Sequence, residues 1–145
     1  VAGTISQSEG SIGYIGFEYA FAQKIPMAKL MNSAGFYIEP TLESFTAAAA
    51  AEMPADTRIM ITNSPNPAAY PITSFTWIIM YKELAYGNHS SEAATAAVET
   101  VRWLTGEEAQ AIATSVHYAA LPQNASLQAS TLLKGITYDG TPVLK

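Results

Sequence analysis

The spacing of apolar positions changes period several times along the chain. Residues 1–10 are polar and glycine-containing, which predicts a loop or a fraying edge. Ser11-Ile12-Gly13-Tyr14-Ile15-Gly16 alternates small residues with Ile, Tyr and Ile, and this alternation predicts a short strand. Phe17, Ala20 and Phe21 then share one helical face, so residues 17–24 predict a helix that Pro26 ends. Residues 28–31 and Phe36-Tyr37-Ile38 predict two short strands around the turn Asn32-Ser33-Ala34-Gly35. Thr41 is a good N-cap, and the Ala-rich run from it to Met53 predicts a helix closed by Pro54.

Asn63-Ser64-Pro65-Asn66-Pro67 is dense in turn-forming residues and is the best linker candidate in the chain. Residues 70–81 follow, β-branched and aromatic almost throughout, and are the strongest strand prediction. The near-continuous apolarity of residues 77–80 predicts burial on both faces, as in a parallel or mixed sheet under helices. After a loop at residues 87–90, Ser91 can cap a helix running from Glu92 to Leu104, with Ala93, Ala97, Val101 and Leu104 on one stripe. Residues 107–115 and 123–133 predict two more helices, and 135–145 a tail that pairs as a hairpin around Asp139-Gly140. Strands alternating with helices make the predicted fold class α/β, a mixed sheet flanked by helices.

Composition narrows the function classes. With 145 residues the chain is one domain or two small lobes. Charged residues are 13% of it, about half the usual ~25%, and apolar residues are 49%. That combination excludes intrinsic disorder. The seven basic residues are scattered and the formal charge is −5, which argues against nucleic acid as a partner. The absence of cysteine excludes disulfides and thiolate-held metals. The most apolar window, residues 72–81, is about ten residues long, against about 20 for a membrane span. The opening Val1-Ala2-Gly3, without an initiator Met or a basic leader region, predicts a processed, cloned or truncated product. The apolar surplus, including Tyr14, Tyr70, Phe75 and Trp77, predicts core; if left uncovered, it predicts self-association into a homo-oligomer.

No residue pattern predicts catalysis. His89 sits in a polar loop and His117 near a helix end, without the spacing of a metal-binding pair. Glu43, Glu52, Glu107 and Glu108 read as solvated helix faces, and Asp139-Gly140 as a turn. Nucleophile-elbow, Walker and dinucleotide-binding glycine motifs are absent. The expectation is therefore no enzyme, no catalytic residue, no metal and no cofactor.

Four ordered segments carry a family resemblance: Gly10-Ser11-Ile12-Gly13-Tyr14, Pro40-Thr41-Leu42-Glu43-Ser44-Phe45 with Ala47-Ala48, Tyr70-Pro71-Ile72-Thr73-Ser74, and Tyr118-Ala119-Ala120-Leu121-Pro122. In this order and spacing, across essentially the whole chain, they resemble the C-terminal half of the periplasmic phosphate-binding proteins of ABC transporters. The resemblance implies a type II periplasmic-binding-protein architecture, two α/β lobes joined by crossover strands with the anion in the cleft between them. Residues 1–67 would end one lobe, and 68–145 would supply a crossover strand and close the other. Tyr70, Pro71 and Ile72 are then the hinge candidates, since Pro71 has a fixed φ and no amide donor. Thr73 and Ser74 are the candidates to face the cleft.

The same resemblance implies inorganic phosphate or a similar oxyanion and a transporter permease as partners. It also implies a periplasmic or extracytoplasmic location, with or without a membrane anchor. That family grips phosphate through its N-terminal half, with amides and hydroxyls near helix N-termini, an Asp, and an Arg followed by Ser-Gly-Thr. No Ser-Gly-Thr occurs here, and neither Arg58 nor Arg102 precedes a Ser/Gly-rich turn. No ligand position carries over. The other reading is a stand-alone dimerising module of this fold that binds no anion.

Overall fold

A computed structural model describes residues 1–144; the last residue of the expected hairpin tail, Lys145, lies outside them. The described chain has helices α1 (Ala2–Gln7), α2 (Phe17–Ala22), α3 (Leu42–Ala49), α4 (Ser91–Leu104), α5 (Glu107–Ser115) and α6 (Gln123–Lys134). Its strands are short: β1 (Leu30–Met31), β2 (Tyr37–Ile38), β3 (Thr137–Tyr138) and β4 (Thr141–Pro142).

Side-chain caps set the starts of α3 and α4. Thr41 and Ser44 form a reciprocal capping box at the start of α3: Ser44 N donates to Thr41 Oγ1 at 3.2 Å, and Thr41 N donates to Ser44 Oγ at 3.0 Å. The helix stops at Ala49, short of the expected Met53. Pro54 bars only Met53 from helical geometry; the chain already leaves the helix at Ala50, whose ψ is 44°. At α4 the cap is Ser90 rather than Ser91, with Ala93 N donating to Ser90 Oγ at 3.2 Å. The helix α5 has the predicted limits, and α6 ends against Gly135.

Both sheets are antiparallel hairpins. In the first, Leu30 pairs with Ile38 and Met31 with Tyr37. In the second, Asp139 and Gly140 have φ of 49° and 72°. Left-handed geometry at both central residues gives a two-residue turn whose twist suits the strands it joins. Residues 82–84 lie parallel to β3: Thr137 N donates to Lys82 O at 2.8 Å, and Leu84 N to Thr137 O at 2.9 Å. Residues 82–84, β3 and β4 therefore form a miniature mixed sheet. Against it pack Val98 of α4 and Leu133 of α6, in a core with Leu84, Ala94 and Ile136; Val98 is 0% exposed.

Three expectations are corrected. Residues 2–7 are helical rather than looped, because the first turn closes locally, with Ile5 N donating to Val1 O at 3.0 Å. Residues 11–16 form no strand, and Ile12 and Tyr14 are exposed. Residues 70–81 also form no strand. Far from being buried on both faces, Trp77 is 45% and Ile79 94% exposed. β-Branched and aromatic residues favour an extended backbone, but a strand exists only as part of a ladder, and no described strand runs beside either segment. The chain thus has mixed helical and strand character. In place of the expected larger mixed sheet it has two hairpins and one parallel bridge.

Candidate functional site

The linker candidate (63–67), the expected crossover (68–72) and the cleft candidates Thr73 and Ser74 are contiguous, and the structure anchors most of this segment. Asn32, in the β1–β2 turn, is 4% exposed. Its Nδ2 donates to Pro67 O at 2.9 Å and Ala69 O at 3.1 Å, with a longer contact to Asn66 O at 3.5 Å. Its Oδ1 accepts from Ala34 N and Phe36 N, each at 3.1 Å. One carboxamide thus shapes the hairpin turn with its oxygen and clasps residues 67–69 with its nitrogen. Asn66 does the same from the other side, donating through Nδ2 to Ala47 O of α3 at 3.1 Å and accepting from Ala68 N at 2.9 Å. Ser33 Oγ adds a bond to Ser64 O at 3.1 Å. The linker candidate at residues 63–67 is stapled to α3 and to the first hairpin.

The hinge candidates follow directly. Tyr70 N donates to Ser44 O at 3.2 Å, and its phenol donates to Ala28 O at 3.2 Å. The Tyr70 ring meets Phe45 edge-on with centroids 5.8 Å apart, and Phe45 in turn meets Phe17 at 5.0 Å. Burial pushes the Tyr70 phenol above its ordinary pKa. Pro71 O accepts from Asn63 N at 2.8 Å, while the Ile72 side chain is exposed. Of the two cleft candidates, Thr73 turns its hydroxyl onto Tyr70 O at 2.8 Å, and Ser74 is exposed.

Two open cavities lie nearby. One of about 450 Å³ is lined by Phe21, Lys24, Pro26, Met27, Lys29 and Glu39. Another of about 390 Å³ sits at the N-terminus of α3, with Lys29, Glu39, Thr41, Ser44 and Ala68 in its wall. Lys29 belongs to both and pairs with Glu39 at 2.6 Å, whereas Lys24, in the first cavity only, makes no ion pair among the described residues. Thr73 and Ser74 line neither.

Among the described residues, the remaining sequence candidates make no hydrogen bond to residues 63–74 through their side chains. The His117 ring lies on Phe21, centroids 4.2 Å apart, and His89 meets Tyr86 at 5.1 Å. Among the described residues no three His, Asp or Glu side chains gather as metal ligands would. Glu52, Glu107 and Glu108 are exposed. The Glu43 carboxyl is held below its usual range by the backbone amide of the first turn of α3 and then by the Thr41 hydroxyl. Arg58 pairs with Asp56 at 2.8 Å and Arg102 with Glu99 at 2.7 Å.

Two polar centres escaped the sequence reading. Asn32 passed as one more turn former. Glu83 lies in the apolar segment's tail and binds the second hairpin. Its carboxylate accepts from Ala85 N and Thr137 Oγ1, each at 2.8 Å, Gly140 N at 3.1 Å and Asp139 N at 2.9 Å. These four donors, Ala85 first, pull its pKa down to about 2. The partners of Asn32 and Glu83 are mostly more than thirty residues away, and no spacing rule reaches that far. A further long-range tie joins the two halves of the chain: Asn124 and Gln128 of α6 donate to Ala51 O at 2.8 Å and Ala55 O at 2.6 Å.

No protein-family model matches the chain. Curated relatives do. The chain is 35% identical over 127 residues to the phosphate-binding protein PstS of Xylella fastidiosa, covering 86% of the chain and 34% of that protein. It is 29% identical over 126 residues to PstS of Pasteurella multocida, covering 85% of the chain and 35% of that protein. It is 26% identical over 133 residues to PstS of Methanocaldococcus jannaschii, covering 86% of the chain and 34% of that protein. The chain spans about a third of the length of these relatives, rather than the half that the sequence reading expected.

Proposed function

We propose that this chain, PstS-like over most of its length, is the C-terminal segment of the substrate-binding component of a phosphate-type ABC importer. In this reading it is a binding protein and not an enzyme, it works in the periplasm or another extracytoplasmic space, and it belongs to a type II periplasmic-binding-protein fold. The observation that carries the proposal is the set of PstS relatives matched over most of the chain. Residues 1–67 form the end of one lobe, 68–72 the crossover, and the rest closes the second lobe. The chain's part is then mechanical. It supplies a crossover anchored by Tyr70 and Pro71 and places Thr73 and Ser74 at the boundary of the lobes, while the anion is gripped by residues elsewhere in the polypeptide. The ion pair of Lys29 with Glu39 and the missing Arg and Ser-Gly-Thr pattern support that division of labour.

Isothermal titration with inorganic phosphate tests the proposal. A PstS-length polypeptide containing this chain binds phosphate, and the 145-residue chain alone gives no heat. Failure of the longer protein to bind any oxyanion overturns the assignment. Micromolar binding by the chain alone overturns the division of labour.

The exposed run from Ile72 to Tyr81 favours a second reading, a stand-alone module that dimerises through this surface. Light scattering at tens of micromolar separates the two. A monomeric chain removes the dimer reading, and a dimer that binds no phosphate in any longer form favours it.

A further inference from the structure

We infer that Asn88 is an acceptor for an N-linked glycan whose first sugar is seated on the ring of Tyr86. The inference rests on the extracytoplasmic reading for access to the modifying enzyme, and on the geometry of the loop for the rest. Two asparagines, Asn88 and Asn124, are followed two residues later by serine, with no proline between. This pattern is an acceptor where it lies in a surface loop, because the transferase must reach both the amide and the hydroxyl. Asn124 does not meet that condition. It lies in the first turn of α6, its Nδ2 donates to Ala51 O at 2.8 Å, and its Oδ1 accepts from Ala125 N at 2.9 Å. Asn88, His89 and Ser90 lie between the elements, and all three are exposed.

The backbone sets Asn88 at the tip of its loop. Gly87 and Asn88 have φ of 58° and 61°, and His89 N donates to Tyr86 O at 3.1 Å. Positive φ at both central residues, with that bond, makes residues 86–89 a type I′ turn. Asparagine enters the left-handed region more readily than most side chains. The loop is held at its far end: the Tyr138 hydroxyl donates to His89 O at 2.8 Å, and Ser90 Oγ accepts from Ala93 N at 3.2 Å. Accepting that bond leaves the Ser90 hydroxyl hydrogen to donate to the enzyme. The Tyr86 ring borders the turn, 47% exposed, with its centroid 5.1 Å from that of His89. The negative face of an aromatic ring attracts the partly positive C–H groups of a sugar, so a sugar on Asn88 has a face to pack on.

Transfer is a substitution at the sugar. Asn88 Nδ2 bonds to the anomeric carbon of a lipid-pyrophosphate-linked oligosaccharide. The bond from that carbon to the pyrophosphate oxygen breaks, the lipid pyrophosphate leaves, and one amide proton passes to a base on the transferase.

Glycopeptide mass spectrometry of a PstS-length polypeptide containing this chain, exported through an N-glycosylating secretory host, tests the inference. Trypsin separates the two patterns, with Asn88 in residues 83–102 and Asn124 in residues 103–134. Peptide 83–102 carries a glycan that a glycan-releasing amidase removes, converting Asn88 to aspartate, and Asn88→Gln abolishes it. Tyr86→Ala keeps the acceptor pattern and lowers occupancy by about threefold or more, because the packing face is gone. An unmodified peptide 83–102 overturns the acceptor, and unchanged occupancy in Tyr86→Ala overturns the seat on the ring. If a variant does not fold, peptide 83–102 of the unsubstituted protein still decides. A protein modified at Asn88 in this host but found in the cytoplasm of its own cells keeps the acceptor and loses the extracytoplasmic reading.

Discussion

The clasp makes a quantitative prediction through Asn32→Leu. Leucine nearly preserves the side-chain volume, so the change removes hydrogen bonds with little cavity. Five contacts disappear: three donated to the carbonyls of Asn66, Pro67 and Ala69, and two accepted from Ala34 N and Phe36 N. Water can replace the partners beside exposed residues, and Ala34, Phe36 and Pro67 are exposed. Ala69 is 0% exposed, so its carbonyl is left with no donor. A buried acceptor stranded in this way costs about 1–3 kcal/mol, and each contact exchanged for water loses a smaller amount, giving a total of about 2–4 kcal/mol. That is a large fraction of the 5–15 kcal/mol typical of a whole domain. Urea denaturation followed by far-ultraviolet circular dichroism measures the loss. A drop below about 1 kcal/mol refutes the reasoning, because it would mean that solvent reaches Ala69 or that the clasp contributes nothing beyond its packing.

Two further perturbations probe the other half of the chain. The folded-state pKa of Glu83, about 2, lies below the unfolded value of about 4.3. Its contribution to stability is therefore complete above pH ~4.3 and is lost as pH falls from there through about 2. Thermal midpoints measured across that range fall with pH in the unmodified chain and fall less in Glu83→Gln, whose amide cannot accept from all four donors; parallel profiles for the two proteins would contradict the clamp. Val98→Ala removes two methyl groups from the only large side chain that is fully buried among the described residues, which costs about 2 kcal/mol in chemical denaturation, including the cavity left behind.

The sequence by itself determined whatever a few neighbouring residues decide. Thr41 and Ser44 fix the start of α3 because each caps the other within one turn. Asp139-Gly140 fixes the second hairpin because both residues tolerate the left-handed backbone that its turn needs. The limits of α5 and the family resemblance were visible for the same reason, since both are carried by short contiguous motifs. Tertiary structure decided the rest. Residues 70–81 have the composition of a buried strand, but composition supplies only a preference for extended backbone, and the ladder and the covering surface must come from elsewhere. The bond from the Thr73 hydroxyl to Tyr70 O, three residues back, also appears only in the folded chain. Asn32 and Glu83 were ordinary polar letters until folding brought distant carbonyls to one and distant amides to the other. Hydrogen bonds are short-ranged in space but indifferent to separation along the chain, so the polar centres that hold residues 67–69 and the second hairpin became identifiable only in three dimensions.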